Sequence, residues 1–489
     1  MKRIVLGCLL LTMICSPAAG ETLPGDEPAT LYFPGLERPA VPAAAATAPE
    51  TGKPIIWIVV DALRPDHVSA YGYGRDTTPA LDRFADEGVI FTRFFANAPW
   101  TRPATTSMLT GLIPTEHRVQ CDWHKLPASV GTMAQQLKKA GYTTLAVVGN
   151  GNISSAFGMH HGFDVYEDTT ENWKGLPDAR QVVDLGLKHL RRHRGQDKVF
   201  LLLFLLDPHD PYKPKPPYDD MYYPEYEGKV RHRVHWEYKN DYPEAQRKKV
   251  VALYDGLIRS TDDQLARLFK ELRKLGFWDE ASIFVTADHG EAFGEHGVYL
   301  HAHHHYETHM RIPLLIRAPW IEKSARGGYT SAFVQQIDLA PTTLALAGAK
   351  IPGAMSGLDM TRALHQRKAV PVPRYVISEY NCYGIRRSAI RTRRYKLVYQ
   401  RPALRKLFMK HVGRPELLPS VSFDEEVFQL YDVLADPHEK RNLWPDQRPI
   451  GEKLLHVLKA EIEGGKPSLK VDELDPDLVE ELQSLGYMQ

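Results

Sequence analysis

The sequence has almost no imbalance of charge, few cysteines and no long apolar run beyond its first residues. Lysine and arginine together number 61 against 60 aspartates and glutamates, a formal net charge of +1. A basic excess is therefore absent, and nucleic acid is not expected as a partner. Four cysteines in 489 residues exclude a small disulfide-stapled scaffold. The hydrophobic content of 43% is enough for a large domain with a smaller one beside it, as in many enzymes.

The N-terminus has the pattern of a secretory signal peptide over residues 1–20. Lys2-Arg3 precedes the apolar stretch Ile4–Cys15, and small residues then predict cleavage before Glu21. The stretch is shorter than the about 20 residues that cross a bilayer, so a transmembrane segment is not expected. We expect a secreted or periplasmic protein, and a lipid anchor on Cys15 is the less favoured alternative.

Two cysteines, Cys121 and Cys382, remain after removal of the signal peptide. In an oxidising compartment they can form a disulfide, and free buried thiols are the equal alternative. Residues 21–52 are rich in proline and alanine, which predicts an extended linker.

Four short apolar runs each end at residues that can bind a metal or an anion. The runs are Ile55–Val60, Thr143–Val148, Phe200–Leu206 and Ile283–Ala287. The residues that follow them are Asp61, Gly149-Asn150, Asp207-Pro208-His209-Asp210 and Asp288-His289-Gly290-Glu291. Runs of this non-alternating kind predict buried parallel strands. Because ligands bind at the carboxyl ends of such strands, we expect the four clusters to meet at one edge of a sheet.

The pattern between and beyond these runs predicts an α/β fold: a mostly parallel central sheet flanked by helices over residues 53–370. Helices are predicted near Pro79–Glu87, Ser129–Ala140 and Leu253–Leu275, with a loop turning into a helix at Thr101–Leu109. Residues 212–246 are aromatic, basic and aperiodic, which favours an inserted rim loop that selects the substrate; a plain surface excursion is the alternative.

A smaller antiparallel α+β subdomain is predicted over residues 371–489. Its strands are Tyr375–Glu379, Ile385–Ile390, Tyr395–Val398 and Phe428–Asp432, and its terminal helix is Ile450–Glu463.

Seven segments between residues 53 and 450 resemble, in order, the sulfatases of the alkaline phosphatase superfamily. They are Asp61–Asp66, Thr77–Arg83, Met108–Gly111, Ala140–Thr144, Thr286–Glu291, Arg311–Ile316 and the set Leu430–Asp432, Asp436-Pro437 and Asn442-Leu443. The resemblance implies an alkaline phosphatase-like fold and a hydrolase that acts on an anionic ester.

The nucleophile segment departs from that family. Sulfatases have Cys or Ser, any residue, Pro, any residue and Arg there, and the first residue becomes formylglycine. This chain has Thr101-Arg102-Pro103-Ala104-Thr105, and threonine cannot form that aldehyde. The family's Gly-Lys-any-His stretch becomes Gly149–Asn152, and the second Asp of the usual pair becomes Ala62. We therefore do not expect formylglycine chemistry.

The remaining residues are similar to the phosphoryl-transfer branches of the superfamily, where an unmodified Thr or Ser attacks. Asp288–His301 resembles the metal-binding segment of the phosphoethanolamine transferases, in which an Asp-His pair and a later His hold zinc. The later His falls at His301. Those transferases also carry membrane helices, whereas none is expected here.

The residue types predict a metal-dependent nucleophile. Asp61, Asp288 and His289 can bind one divalent ion that also contacts Thr101 and lowers the pKa of its hydroxyl, with His301 as a further ligand. A mixed carboxylate and imidazole set favours Zn or Mn, and Ca is the weaker alternative. For Thr101 the alternative is a helix N-cap, and for the Asp288-His289 pair a turn without ligand role.

Further site residues are predicted with alternatives left open. His209 and His301 either hold a second ion, with Asp207 or Asp210 as companion, or bind the ester and protonate its leaving group; His209 can also be a plain turn histidine. Three others are predicted to bind substrate, namely Asn150, Arg102 and His303. Arg102 could instead form a surface ion pair, and Asn150 is a candidate oxyanion donor.

Two classes of function follow. The first is a secreted metallohydrolase of phosphate mono- or diesters, with a sulfate ester hydrolase as the alternative and a phosphoryl transferase as a weaker one. The second is a non-catalytic binding protein, which the retained set Asp61, Thr101, Asp288, His289 and His301 disfavours. The organic part of the substrate and the oligomeric state do not follow from the sequence.

Overall fold

The computed structural model describes residues 49–169, 177–229, 242–361 and 375–463, apart from residues 414, 416, 417 and 419. The predicted signal peptide, nearly all of the 21–52 linker and part of the 212–246 rim loop lie outside the described residues. The end of the C-terminal subdomain, residues 464–489, does so too.

The large sheet has eight strands, and seven of them run in one direction. In chain order they are β1 Ile55–Val60, β2 Val89–Phe95, β3 Thr143–Val148, β4 Val165–Asp168, β5 Val199–Leu205, β6 Ser282–Thr286, β9 Leu314–Arg317 and β10 Gly328–Gln335. Their order across the sheet is β10-β2-β9-β6-β1-β5-β3-β4, and only β9 is antiparallel to its neighbours. The predicted mostly parallel sheet is confirmed.

After β6 the chain forms a two-stranded antiparallel hairpin, β7 Ala292–Phe293 and β8 Tyr299–Leu300. The C-terminal sheet is antiparallel, and its four strands are β11 Val376–Cys382, β12 Ile385–Arg391, β13 Tyr395–Arg401 and β14 Val427–Asp432. β11 begins one residue after its predicted start at Tyr375, and otherwise the strands extend the predicted bounds by one to three residues.

Helices cover the large sheet and the C-terminal one. They are α1 Pro79–Asp86, α2 Thr101–Thr110, α3 Pro114–His117, α4 Met133–Lys139, α5 Ala179–Arg192, α6 Glu244–Leu275, α7 Phe277–Glu280, α8 Glu307–Met310, α9 Leu339–Ala347, α10 Arg405–His411 and α11 Arg448–Ile462. Among the described residues, none of these helices combines the length and the apolar character needed to cross a membrane.

Two predicted helix starts were wrong, and the terminal helix α11 begins at Arg448, two residues before the predicted Ile450. Helix α4 begins at Met133 because the Thr132 side chain accepts a hydrogen bond from the Gln135 amide and caps it there. Helix α6 begins at Glu244 rather than Leu253, since its first two turns are polar and carry no apolar period to reveal them. Residues 244–246 therefore belong to α6 and not to the predicted rim loop.

A disulfide joins a loop of the large domain to the C-terminal sheet. Cys121 lies in the loop after α3, Cys382 ends β11, and their Cα atoms are 4.8 Å apart. The disulfide alternative left open by the sequence is therefore the correct one.

Removing this disulfide should destabilise the protein. It closes a loop of 261 residues, so the chain entropy that it removes from the unfolded state is large. The double variant Cys121→Ser/Cys382→Ser should lose about 2–5 kcal/mol of unfolding free energy. Thermal denaturation with and without reductant checks this: reductant should lower the melting temperature of the wild type only. Equal melting temperatures for wild type and variant would contradict the prediction.

Candidate metal centre and active site

The carboxyl ends of four adjacent strands bring the predicted residues together. Strands β6, β1, β5 and β3 are neighbours in that order and run parallel. Asp61 follows β1 directly, and its amide donates to the Leu205 carbonyl at the end of β5. Asp288 follows β6, and Asn150 follows β3. The expectation that these clusters meet at one edge of the sheet is confirmed.

Asp61, Asp288 and His289 form a buried cluster whose ligand atoms all lie within 4.8 Å of one another. The Nε2 atom of His289 is 3.6 Å from Asp61 Oδ1 and 3.3 Å from Asp288 Oδ2. Both carboxylate oxygens are buried and have no hydrogen-bond partner among the described residues. Two such oxygens beside a ring nitrogen fit a divalent cation, because a buried carboxylate oxygen otherwise carries an uncompensated cost.

The backbone around the cluster is built to orient its side chains. The Nδ1 of His289 donates to the Gly290 carbonyl at 2.8 Å, so Nε2 carries the lone pair that faces the carboxylates. The amide of Ala62 donates to Asp288 Oδ1 at 3.1 Å. Ala62 reaches that position with a φ of 55°, a left-handed conformation that costs an alanine about 1 kcal/mol.

Electrostatics in the cluster call for a positive charge. Burial, followed by the adjacent Asp288 charge, raises the pKa of Asp61 well above its usual range. Burial also lowers the pKa of His289 to about 4, so its imidazole is neutral at pH 7. Two buried carboxyl groups without a cationic side chain among them are stabilised when a divalent ion is bound.

Thr101 points at this cluster and does not cap its helix. It is the first residue of α2, Trp100 holds the N-cap position, and the N-cap forms no side-chain hydrogen bond. The Thr101 side chain is buried, and its Oγ1 lies 3.2 Å from His289 Nε2. The helix-capping alternative is therefore wrong, and the hydroxyl stands beside the predicted ligands.

His301, Glu291 and His209 form a second group next to the first. The His301 ring lies 4.3 Å from the His289 ring and 4.9 Å from the His209 ring, centroid to centroid. His301 Nδ1 is 3.1 Å from Glu291 Oε1, and burial lowers the pKa of His301 to about 3. The Nδ1 of His209 donates to the Asp210 carbonyl at 2.6 Å, which leaves Nε2 as its other polar atom.

Glu291 is the residue of this group that the sequence did not assign. It is buried, and burial raises the pKa of its carboxyl to about 7. Tyr212, from the part of the chain predicted as a rim loop, donates to Glu291 Oε2 at 2.9 Å. The sequence pointed to Glu291 only through its place in the run Asp288–Glu291. Its role could not be assigned because its partners His301 and Tyr212 are distant from it in the sequence.

The predicted substrate-binding residues are engaged with protein atoms. Asn150 donates through Nδ2 to Asp61 Oδ2 and accepts from the Asn152 amide at 2.8 Å. Arg102 is buried over the Phe157 ring, and its guanidinium donates to the carbonyls of Asn152 and Asp122. The proposed surface ion pair for Arg102 is wrong. Arg102 links the start of α2 to the loop that also holds Asn150.

Two other candidates, Asp207 and His303, contact residues outside the cluster. Asp207 Oδ2 accepts from the Ala179 amide at the start of α5 at 3.2 Å, which directs it away from a second ion. His303 is packed edge-on against Tyr380 at 5.0 Å, and burial lowers its pKa to about 3. A role of His303 in substrate binding stays a prediction.

Comparisons with protein-family models and with individual proteins agree on one family. A family model described as Sulfatase matches residues 53–349, and one described as N-sulphoglucosamine sulphohydrolase, C-terminal, matches residues 294–412. The N-acetylglucosamine-6-O-sulfatase of Bacteroides thetaiotaomicron is 24% identical over 86% of this chain and 88% of its own length. The multifunctional alkaline phosphatase superfamily protein PehA of Trinickia caryophylli is 25% identical over 65% of this chain and 78% of its own length.

Solved structures share the fold. One, in complex with its substrate D-glucosamine-2-N,6-O-disulfate, aligns with a TM-score of 0.68 at 20% identity and covers 87% of this chain and 100% of that one. A phosphonate monoester hydrolase of Agrobacterium radiobacter aligns with a TM-score of 0.66 at 20% identity, covering 84% and 96%. Both likenesses support the α/β architecture with its small antiparallel C-terminal sheet.

Proposed function

The chain belongs to the sulfatase family, whose members hydrolyse sulfuric and related esters, and from that premise we propose that it cleaves phosphate mono- or diesters with Thr101 as the nucleophile. The observation that carries the proposal is the position of Thr101 Oγ1, 3.2 Å from His289 Nε2 beside two buried carboxylate oxygens without hydrogen-bond partners in the described structure. A decayed binding protein has no reason to keep this arrangement.

The residues present fit one divalent ion, held by Asp61, Asp288 and His289. Their mixed oxygen and nitrogen ligands suit Zn or Mn better than Ca. A bound ion supplies Lewis-acid stabilisation of the charge that develops on oxygen. His301 is engaged with Glu291, so we place it beside the ester rather than on a second ion.

The roles of the chain's own residues follow from their positions. Thr101 Oγ1 loses its proton to solvent and attacks the phosphorus, the bond to the leaving oxygen breaks, and a phosphate ester forms on the threonine. Water then attacks that phosphorus, which releases the phosphate and restores the threonine hydroxyl. His289 would hold the ion through Nε2, the nitrogen that lies 3.2 Å from Thr101 Oγ1, because its Nδ1 donates to the Gly290 carbonyl. His209 Nε2 is free of the Asp210 hydrogen bond and is proposed to protonate the leaving oxygen.

Phosphate is favoured over sulfate because the nucleophile is an unmodified threonine. A formylglycine sulfatase expels sulfate when its aldehyde reforms, and Thr101 offers no such route. The threonine ester must instead be cleaved by attack of water on phosphorus or sulfur. Sulfate ester hydrolysis remains the second candidate, since two family models and several relatives are sulfatases.

We propose that the protein acts outside the cytoplasm. Lys2-Arg3 and the apolar stretch that follows have the pattern of an export signal. The Cys121–Cys382 disulfide supports an oxidising compartment.

A substrate panel with metal depletion tests the activity. Purified protein should contain about one divalent ion per chain, lose turnover on treatment with chelator, and regain it with Zn or Mn. The panel should hold p-nitrophenyl phosphate, a phosphodiester, a phosphonate and a sulfate ester. We expect the phosphate or phosphonate esters to be cleaved fastest. Turnover that persists without metal, or of the sulfate ester alone, would overturn the phosphate proposal.

The proton-donor role of His209 predicts a dependence on the leaving group. His209→Ala should lower kcat/KM about 100-fold for an alkyl phosphate, whose leaving oxygen needs a proton. For a p-nitrophenyl ester the loss should be small, because that leaving group departs without one. The exposed His160, changed to alanine, is the matched control and should lower neither value. Equal losses for the two esters would assign His209 to another role.

A further inference from the structure

A buried lysine of the C-terminal sheet reaches into the segment that follows His301. Lys396 belongs to β13, and its side chain is 1% exposed. Its Nζ donates to the His305 carbonyl at 2.7 Å and to Glu307 Oε1 at 3.3 Å, and it forms an ion pair with Glu439. A buried ammonium group is costly unless it is paired and hydrogen-bonded, so separating Lys396 from these partners is strongly disfavoured.

The partners of Lys396 hold the short helix α8 in place. Glu307 is the first residue of α8, and its amide donates to Glu439 Oε2 at 2.7 Å. Arg391 of β12 adds a second cation, whose Nε donates to Glu307 Oε1 at 3.4 Å. All four side chains are buried or nearly so. The C-terminal sheet therefore holds the start of α8 through two cations and the carboxylates that they pair with.

Helix α8 lies directly against the loop of the metal cluster. The Gly290 amide donates to the His309 carbonyl of α8 at 2.8 Å. A Cβ atom on Gly290 would lie 2.0 Å from the Thr308 carbonyl oxygen, so only glycine allows this close approach. On its other side, the Gly290 carbonyl accepts from His289 Nδ1 at 2.8 Å. A shift of α8 would therefore move the Gly290 carbonyl and, with it, the ring of His289.

The same helix supports the backbone beside His301. The Nε2 of His309 donates to the carbonyl of Leu300, one residue before His301, at 3.0 Å. Leu300 has a φ of 63°, in the left-handed region that a leucine does not favour, so its backbone needs support from other parts of the chain. His289 and His301 are thus both held by α8, and α8 is held by Lys396.

We propose that Lys396 is a positioning residue for the metal centre, which acts from the C-terminal sheet through α8 and Gly290 on the ring of His289. The inference rests on the proposed metal site of Asp61, Asp288 and His289, and it adds the C-terminal sheet to the parts of the chain on which that site depends. Loss of the groups that orient a metal-binding histidine typically weakens metal binding about 10- to 100-fold.

Metal affinity in a variant without the ammonium group tests the inference. Lys396→Met keeps most of the side chain's volume, and we expect the affinity of the chelated and dialysed protein for Zn to fall about tenfold or more. Lys249→Met is the matched control. Lys249 lies on α6, its side chain is 3% exposed, and it donates to Asp220 Oδ1 at 2.8 Å and to two carbonyls of the 219–223 loop. This control also loses a buried ion pair, but it should bind Zn as the wild type does.

Hydrogen exchange of the metal-free proteins provides a second arm. Peptides that contain Gly290 should exchange faster in Lys396→Met than in the wild type, because the Gly290 amide loses a fixed acceptor in α8. The same peptides from Lys249→Met should exchange at the wild-type rate. A general loss of stability would instead speed exchange in both variants.

A double variant covers the case in which Lys396→Met does not fold. Lys396→Met/Glu439→Gln removes both members of the ion pair and leaves Glu307 with Arg391, so no buried charge loses its partner. This variant still lacks the donor to the His305 carbonyl, and it should show the same loss of Zn affinity and the same faster exchange.

The two arms separate the positioning role from the metal site itself. If the wild type binds Zn and a folded Lys396 variant binds it equally well, the positioning role is overturned. Exchange at Gly290 that matches the Lys249→Met control overturns it too, whether or not Zn binds. Faster exchange at Gly290 in Lys396→Met, when the wild type binds no Zn, would uphold the link from the C-terminal sheet to this loop and overturn the proposed metal site.

Discussion

Replacement of Thr101 by alanine should lower kcat by about 10³-fold or more while leaving the fold and the bound metal in place, because losing a nucleophile removes the covalent route entirely. The Thr101 side chain is buried, and its Oγ1 lies 3.2 Å from His289 Nε2. Steady-state kinetics on the best ester of the panel, with metal analysis of the same sample, measures both parts of this prediction.

Two further variants make the Thr101 result specific. Thr101→Val keeps the shape of the side chain without its hydroxyl and should be as inactive as Thr101→Ala. Thr101→Ser keeps the hydroxyl and should retain part of the activity. Near wild-type rates in Thr101→Ala would mean that water attacks the ester directly, and the covalent mechanism would have to be dropped.

Asp61→Asn and Asp288→Asn should each lose the metal and the activity together. A neutral amide is a weaker ligand for a divalent ion than a carboxylate, and we expect metal affinity to fall about 100-fold or more. The unliganded variants should be at least as stable as the unliganded wild type, since burial raises the pKa of Asp61 and the amide removes a buried carboxyl charge. Metal analysis and thermal denaturation after chelation measure both effects.

Asp262→Asn is the matched control for these two variants. Asp262 is buried like Asp61, but its oxygens accept from the amides of Ala80 and Leu81 at the start of α1, at 2.6 and 3.0 Å. This variant should keep its metal. Full metal occupancy in Asp61→Asn or Asp288→Asn would show that the ion is held elsewhere.

Much of the metal cluster could be predicted from the sequence because it depends on strand ends. A short apolar run that ends just before Asp61 or Asp288 already indicates that this aspartate lies at the carboxyl edge of a parallel sheet. Neighbouring strands then bring such residues together whatever their separation along the chain. Thr101 could be predicted as the nucleophile from its place in a motif, although the motif itself departs from the sulfatase pattern.

The remaining features depend on tertiary contacts that no local pattern encodes. Glu291 acquires its role from His301 and Tyr212, which approach it only in the folded chain. The left-handed φ of Ala62 could not be predicted from the sequence, because alanine does not favour that conformation. The contacts of Arg102 could not be read from the sequence either, because its guanidinium donates to the carbonyls of Asn152 and Asp122, and its substrate-binding role stays a prediction. The start of α6 at Glu244 was missed because the first two turns of this helix are polar and show no apolar period.

The covalent intermediate on Thr101 is the central claim, and mass spectrometry after an acid quench tests it most directly. Enzyme saturated with the best ester should be quenched during steady turnover and digested. The account predicts that the peptide containing Thr101 gains the mass of the transferred group, one phosphoryl group from a monoester or a phosphoryl group with its remaining substituent from a diester. The same peptide from Thr101→Val protein should gain neither. A Thr101 peptide that stays unmodified in enzyme that turns over, or a modification placed on another residue, would contradict it.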